Sequence, residues 1–193
     1  MLPALVLLVL ACGYRVLAAF APDLSNFSPL MAIAFCGAVY FRHRWLWVIP
    51  LAALSLSDVF LNYHYAVQFG YHWDGAGFVV RTLCFLAAAV IGMAVARRKS
   101  WLNLFSGALG GAVLFYLATN TASWAGDVAY AKTAAGWWQA MTIGHPEFAP
   151  TLFFFRNTLV SDLLFTGVFA LAMEYAALRK AEPNLLRATP HAA

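Results

Sequence analysis

The sequence predicts an all-α integral membrane protein that is built as a bundle of six transmembrane helices. Hydrophobic residues make up 63% of the 193 residues, whereas soluble domains average about 45–50%. Charged residues make up only 10%, against about 25% in soluble domains. A soluble globule of this length has too little interior to bury so many apolar side chains. The composition therefore excludes soluble domains, disordered chains and nucleic-acid-binding proteins, and we expect one membrane domain over residues 1–181.

Six apolar segments account for the predicted helices. A helix needs about 20 residues to span a bilayer, with about 17 as the lower limit. The second and third segments fall short of this length, and because only residues 42–44 separate them, they are typical of a tight helical hairpin. The segments are 2–21, 28–41, 45–60, 78–96, 101–124 and 151–177.

The distribution of positive charge predicts the orientation. Eight of the 12 Lys and Arg residues fall in alternate connections or after the last segment. They are Arg42, Arg44, Arg97, Arg98, Lys99, Arg179, Lys180 and Arg187. The opposite connections, 22–27, 61–77 and 125–150, contain only Lys132. Because cytoplasmic loops of membrane proteins are enriched in Lys and Arg, we expect both termini in the cytoplasm and a mobile cytoplasmic tail over 182–193.

The external connections are long and rich in aromatic residues. Residues 61–77 and 125–150 form two such connections, whereas the internal ones have three or four residues. Long aromatic loops above a helical bundle predict a lid over an outward-facing pocket. Anchoring of the loops at the membrane interface is the alternative interpretation.

Four ionisable residues fall near the outer ends of the predicted helices: Asp58, Arg81, Arg156 and Asp162. Ionisable groups inside a membrane are costly and indicate either a pair or a site. Two interpretations remain open at this point. The residues form structural ion pairs within the bundle, or they contact a ligand directly.

Cys84 is the cysteine whose position suggests chemistry. It follows Arg81 by three residues, so the two side chains share a helix face. A nearby guanidinium favours the thiolate, which is a soft ligand for a transition metal. A packed, inert thiol is the alternative. The sequence contains no HExxH, GxSxG or P-loop motif, so it does not predict ATP hydrolysis by the chain itself.

Several motifs at the outer ends of the helices resemble a known family. These are Asn26-Phe27-Ser28-Pro29, Ser57-Asp58, Thr119-Asn120 with Trp124, Tyr130-Ala131-Lys132-Thr133-Ala134-Ala135-Gly136, Phe154-Phe155-Arg156-Asn157-Thr158-Leu159 and Asp162-Leu163-Leu164-Phe165-Thr166. Over residues 24–172 the chain is similar to the substrate-binding S-components of energy-coupling-factor (ECF) vitamin transporters. It most resembles the small cobalamin-specific BtuM family.

This resemblance implies vitamin uptake across the bacterial inner membrane by a multi-pass protein that is not an enzyme. The transported ligand would be cobalamin, and Cys84 would bind its cobalt. Thiolate ligation would make slow decyanation of cyanocobalamin a side reaction. The residues expected to contact the ligand are Asn26, Asp58, Tyr71, Trp73, Arg81, Cys84, Asn120, Trp124, Tyr130, Arg156, Asn157 and Asp162.

The resemblance does not extend to the docking site for partner subunits. S-components often dock the ECF module through two alanines four residues apart on the first helix. The first segment here has no such pair. The chain therefore acts alone or through a different surface, with membrane lipids as its surroundings. Three alternatives stay open: an S-component-like transporter of another small molecule, a membrane-embedded enzyme that uses Asp58, Arg156 and Asp162, and an assembly scaffold.

Overall fold

The structure is a computed structural model, and it describes residues 6–7, 9–10, 13–14, 16–17, 27, 29–41, 48–69 and 75–186. Within these ranges the chain is helical and contains no strand. The all-α prediction is therefore confirmed for the described chain. The helices are α1 (Leu30–Tyr40), α2 (Val48–Phe69), α3 (Gly75–Arg97), α4 (Trp101–Gly126), α5 (Ala134–Met141) and α6 (Thr151–Arg179).

Three of these helices have the length and composition of membrane spans. They are α3, α4 and α6, with 23, 26 and 29 residues. α1 is apolar but has only 11 residues. The residues described in the first predicted segment are helical as well, and the Tyr14 ring lies 5.4 Å from that of Phe165 on α6. These helices agree with the membrane protein that the composition predicted.

Two of the predicted loops are wrong in their local structure. α2 continues through residues 61–69 and α3 begins at Gly75, so most of the expected 61–77 loop is helical. The extension carries Asn62, whose side-chain amide donates to the Asp58 backbone carbonyl at 2.8 Å. The 125–150 connection contains the short helix α5. Hydropathy shows where a run of apolar residues ends. A helix can continue past that point when polar side chains form hydrogen bonds with its backbone.

α1 is the central element of the bundle. Its residues 31–38 are all buried, because α2, α3, α4 and α6 pack around it. A helix that is surrounded in this way is apolar on every face, which explains why its sequence shows no polar stripe. The core around it contains Met31, Phe35, Leu54, Phe85 and Leu104.

Glycine allows α1 and α3 to approach closely. A Cβ atom at Gly92 on α3 would lie 2.5 Å from the backbone oxygen of Phe35 and 2.9 Å from Cβ of Ala38. We expect Gly92→Ala to lower the free energy of unfolding in detergent by about 1–3 kcal/mol, because the backbones must separate. Gly110 on α4 is the matched control, since a Cβ there meets nothing within 4 Å. An equal loss in Gly110→Ala would contradict the packing argument.

α6 has two contrasting faces. Its buried face carries polar side chains along one line: Thr158, Ser161, Asp162, Thr166 and Glu174. Its exposed face carries Leu152, Arg156, Val160, Leu164, Val168, Leu171, Tyr175 and Arg179, at intervals of three or four residues. The polar side of a membrane-length helix thus faces the protein, and the apolar side faces outward.

The chain after α6 is attached to the bundle as far as the structure describes it. The Leu185 backbone N–H donates to Glu174 Oε2 at 2.7 Å, and Trp101 Nε1 donates to the Leu185 carbonyl at 3.4 Å. Residues 182–186 of the expected mobile tail are therefore held in place. The rest of that tail lies outside the described residues.

Candidate functional site

A cavity of about 270 Å³ lies where the end of α4 meets the beginning of α6. The connection between these helices, residues 127–150, covers it and is called the lid below. Ligand pockets in proteins start at about 300 Å³, so this cavity suits a small molecule or part of a larger one. Its lining residues are Phe115, Tyr116, Thr119, Asn120, Tyr130, His145, Phe148, Ala149, Thr151, Phe154, Phe155 and Thr158.

The lining combines aromatic walls with uncharged polar groups. None of these residues is an aspartate, glutamate, lysine or arginine. The Tyr116 and Phe155 rings lie 4.3 Å apart and form one wall. Three polar groups complete the lining. The Thr119 hydroxyl and the Asn120 amide come from α4, and the Thr158 hydroxyl comes from α6. Such a lining is chemically suited to a largely uncharged ligand that offers hydrogen-bonding groups.

Side chains on α4 are positioned by bonds to their own helix. Asn120 Nδ2 donates to the Tyr116 carbonyl at 2.8 Å, and Thr119 Oγ1 donates to the Phe115 carbonyl at 2.8 Å. The Tyr116 hydroxyl in turn donates to the Met141 carbonyl at the end of α5. α4 therefore fixes both the cavity wall and one end of the lid.

The lid is a folded element with its own contacts. Thr133 caps α5 by accepting the Gly136 N–H at 3.2 Å, as expected for a residue at this position. Trp137 Nε1 donates to Thr121 Oγ1 at 3.1 Å, and Trp124 Nε1 donates to the Ala131 carbonyl at 2.9 Å. One tryptophan of α4 and one of α5 thus fasten the lid to the end of α4.

Tyr130 and His145 bring the middle of the lid over the cavity. Their rings lie edge to face with centroids 6.4 Å apart, and the His145 ring lies 5.7 Å from that of Phe148. Burial raises the pKa of the Tyr130 phenol, and the nearby Asp127 carboxylate raises it further. The Tyr130 hydroxyl therefore stays protonated at neutral pH and can act as a hydrogen-bond donor.

The sequence-predicted residues divide into separate groups in the structure. Asn120 and Tyr130 line the cavity, and Trp124 holds the lid. Asp58 and Arg81 form an ion pair elsewhere, with Arg81 Nε 2.9 Å from Asp58 Oδ2. The Asp58 side chain is 6% exposed and that of Arg81 24% exposed, so the pair joins α2 to α3 at a half-buried position.

Cys84 lies one helical turn after Arg81 and is 4% exposed. It belongs to the hydrophobic core, together with Phe85 and Ala88. It is not among the residues that line the cavity. In the part of the chain that the structure describes, no group of three or more His, Cys, Asp or Glu side chains is arranged to hold a metal ion.

Asp162 is a helix cap. Its Oδ1 accepts the Ala32 backbone N–H at 3.0 Å, across 130 residues of sequence. Pro29 stands at the N-cap of α1 and provides no side-chain cap. The first N–H groups of a helix need such acceptors, and a carboxylate also complements the helix dipole. The carboxylate of α6 therefore completes the beginning of α1.

Arg156 and Asn157 lie beside each other and outside the cavity lining. Arg156 is exposed, its guanidinium carbon lies 5.2 Å from the centre of the Phe153 ring, and its Nη2 donates to Asn157 Oδ1 at 3.4 Å. The remaining predicted contacts, Asn26, Tyr71 and Trp73, lie outside the described residues.

Sequence reasoning missed several lining residues. Tyr116 precedes Asn120 by one helical turn, and Thr158 follows Phe154 by one turn, so helical periodicity around the quoted motifs indicates both. His145 had no such signal, because it stands alone in a connection whose path depends on α5.

Residues 1–185 match the sequence family DUF6580, which is described as a family of unknown function. No curated protein is significantly similar to this chain, and no solved structure is either. Because the match covers nearly the whole length, the chain belongs to the DUF6580 family.

Proposed function

We propose that the chain is a substrate-binding membrane protein that takes up a small organic solute through the cavity beneath the lid. The observation that carries this proposal is the convergence of separate motifs. Thr119-Asn120, Tyr130, Phe154-Phe155 and Thr158 come from three different segments, and all line the same cavity. A structural role alone would not require polar and aromatic groups to meet around an open space.

The position of basic residues supports an external cavity. Lys99 Nζ lies 2.6 Å from Glu174 Oε1, which places the α3–α4 connection beside the end of α6. Arg97, Lys99 and Arg179 are therefore at the same end of the bundle. The cavity lies at the opposite ends of α4 and α6. If the chain has six spans with both termini in the cytoplasm of a bacterium, as we propose, the positive-inside rule favours a periplasmic position for the cavity.

Cobalamin is the specific ligand that the resemblance favours, with Cys84 as the cobalt ligand. The Arg81 guanidinium one turn away is paired with Asp58, so its charge is not available to favour the thiolate. The cavity holds only part of a corrinoid, and Cys84 lies beneath the packed core surface. Binding through Cys84 therefore requires the helices around α3 to separate. The cavity by itself favours another small, uncharged molecule.

The alternative of a membrane-embedded enzyme has weaker support. The three residues assigned to it have separate surroundings: Asp58 pairs with Arg81, Asp162 caps α1 and Arg156 is exposed. Transport through an ECF module remains a proposal. S-components often dock that module through their first helix, and the structure describes only part of the corresponding segment here.

A titration with cyanocobalamin and hydroxocobalamin tests the proposal on the purified protein. We expect a shift of the corrin absorption bands on binding, and its loss in Cys84→Ala. Cys36→Ala is the matched control, since Cys36 is also buried in the core. No shift in the wild type, or an unchanged shift in Cys84→Ala, would contradict the cobalt ligation.

The cavity is tested separately by filling it. Ala149 is exposed and lines the cavity from the lid, so we expect Ala149→Trp to block ligand entry without unfolding the bundle. Thermal stabilisation by a panel of water-soluble vitamins is the measurement, with Ala129→Trp as the control in the same lid. If no solute stabilises the wild type, or if Ala149→Trp binds as well as the wild type, the transport proposal fails.

A further inference from the structure

The exposed face of α6 carries one cation at each end. The face runs through Leu152, Arg156, Val160, Leu164, Val168, Leu171, Tyr175 and Arg179, and all eight residues are exposed. Between the two arginines every member except Tyr175 is aliphatic. This is the surface that a bilayer covers, since α6 has the length and composition of a membrane span.

The spacing of the two arginines matches a bilayer. They are 23 positions apart, which corresponds to about 35 Å at about 1.5 Å per residue. The hydrocarbon core of a bilayer is about 30 Å thick, and its headgroup layers extend it to about 40–45 Å. When Arg179 lies at one headgroup layer, Arg156 reaches the phosphate groups of the other, because long cationic side chains extend toward the interface.

The surroundings of Arg156 are those of a membrane interface. Phe153 packs against its guanidinium at 5.2 Å. In the lid, Trp138 and Ile143 are 64% and 66% exposed. The Thr142 carbonyl accepts the Leu152 N–H at 3.2 Å, so this part of the lid lies beside the beginning of the exposed face. Exposed aromatic and aliphatic groups around a cation are typical of the headgroup level.

Arg156 points away from the solute cavity. Thr158 lines the cavity and is two positions further along α6, which is about 200° around the helix axis. Arg156 itself is not a lining residue. Its guanidinium therefore serves a partner outside the bundle.

We propose that Arg156, with Phe153 beside it, binds the phosphate group of a membrane phospholipid at the lid end of the bundle. A guanidinium donates two parallel hydrogen bonds to a phosphate, and the acyl chains of that lipid would cover Val160 and Leu164. The bound lipid fixes the depth of α6 and supports the lid from the side. The inference depends on the membrane position of α6 and not on the identity of the solute.

The test compares lipids that share all features but one. The full-length protein in detergent is titrated with phosphatidylglycerol, with diacylglycerol, which lacks the phosphate, and with inorganic phosphate, which lacks the chains. Thermal stabilisation and lipid retention in native mass spectrometry are measured for the wild type, Arg156→Gln and Arg156→Lys. We expect stabilisation by phosphatidylglycerol alone, and roughly tenfold weaker apparent affinity in Arg156→Gln, with Arg156→Lys between the two.

Three results would overturn the proposal. Equal stabilisation by inorganic phosphate would assign Arg156 to a soluble anion. If diacylglycerol stabilised the protein as much as phosphatidylglycerol does, the phosphate would not contribute, and the apolar face of α6 alone would bind the lipid. An equal loss in Arg98→Gln, an exposed cation at the other end of the bundle, would attribute the effect to net charge. The lipid titrations contain no solute, so this proposal and the transport proposal fail independently.

Discussion

Asp162→Ala is expected to lower the free energy of unfolding by about 2–3 kcal/mol. The substitution removes the acceptor of the Ala32 N–H and leaves that donor buried, which costs about 1–3 kcal/mol. It also removes the oxygen atoms of a carboxyl group from the beginning of α1, where the helix dipole favours electron-rich groups. The loss is expected to be large because α1 has no side-chain cap of its own and lies at the centre of the bundle.

The second carboxylate oxygen limits the size of this effect. Asp162 Oδ2 is buried and has no hydrogen-bond partner among the described residues. A carboxylate with one unsatisfied oxygen incurs a desolvation cost, which removal of the side chain relieves. Asp162→Asn keeps an oxygen acceptor at the same position, so we expect it to lose less than half as much stability as Asp162→Ala.

Urea unfolding in mixed micelles measures the effect, and Asp127→Ala is the matched control. Asp127 Oδ1 also accepts a backbone N–H, that of Ala129 at 2.8 Å, but this bond is exposed. We expect the control to lose less than about 1 kcal/mol, because water replaces the lost acceptor. If Asp162→Ala costs no more than Asp127→Ala, the carboxylate does not hold α1 in place.

The role of Asp162 shows where sequence reasoning stops. Its presence in an apolar segment indicated either a pair or a ligand contact. The partner is the backbone of residue 32, and no side-chain pattern identifies a backbone N–H as a partner. Asp58 and Arg81 are different, because an ion pair between oppositely charged residues was one of the two open interpretations, and the structure places them 2.9 Å apart.

Some of the helices could likewise be predicted from the sequence, and others could not. Long apolar runs identified α3, α4 and α6 to within a few residues, because lipid-facing helices are apolar along most of their length. The extension of α2 beyond residue 60 and the whole of α5 were missed, since their residues are polar, aromatic or small. α5 is set by tertiary contacts, such as that of Trp137 with Thr121.

The sequence indicated which motifs contribute residues to the candidate site, but it did not show how the helices bring those residues together. Asn120 and Tyr130 were both expected to contact a ligand, and both line the cavity. Cys84 and Arg81 share a helix face as their spacing predicts, but burial of the thiol depends on how α1 packs against α3. The packing of the whole bundle determines which helix faces become buried. A single sequence shows that packing only indirectly.

Glu174→Ala is expected to lower the free energy of unfolding by about 2–4 kcal/mol and to release the chain after α6. The Glu174 side chain is fully buried. Its Oε1 lies 2.6 Å from Lys99 Nζ and accepts the Tyr40 hydroxyl at 2.9 Å, and its Oε2 accepts the Leu185 N–H at 2.7 Å. Removing one partner of a buried pair costs about 3–5 kcal/mol, and the estimate is reduced here because the Lys99 side chain is 27% exposed.

Two measurements separate the release of the chain end from the loss of stability. Trypsin cleavage after Arg179 or Lys180 should become faster under native conditions, because Leu185 loses its acceptor and the segment opens locally. Unfolding in mixed micelles gives the global effect. Glu147→Ala is the matched control, since the Glu147 side chain is 79% exposed, and it should leave both measurements unchanged. Unchanged cleavage in Glu174→Ala would contradict the attachment of the segment through Leu185.

A double-mutant cycle distinguishes the ion pair from the rest of the network. If the Lys99 charge dominates, Lys99→Met should remove most of the loss that Glu174→Ala causes, with a coupling free energy of about 1–3 kcal/mol. If Tyr40 and Leu185 dominate, the two losses should add. We expect coupling, because Lys99 also lies 5.1 Å from the centre of the Tyr40 ring and so contacts both members of the Tyr40–Glu174 hydrogen bond. Strict additivity would show that Glu174 acts through its neutral hydrogen bonds and that Lys99 contributes only surface charge at that end of the bundle.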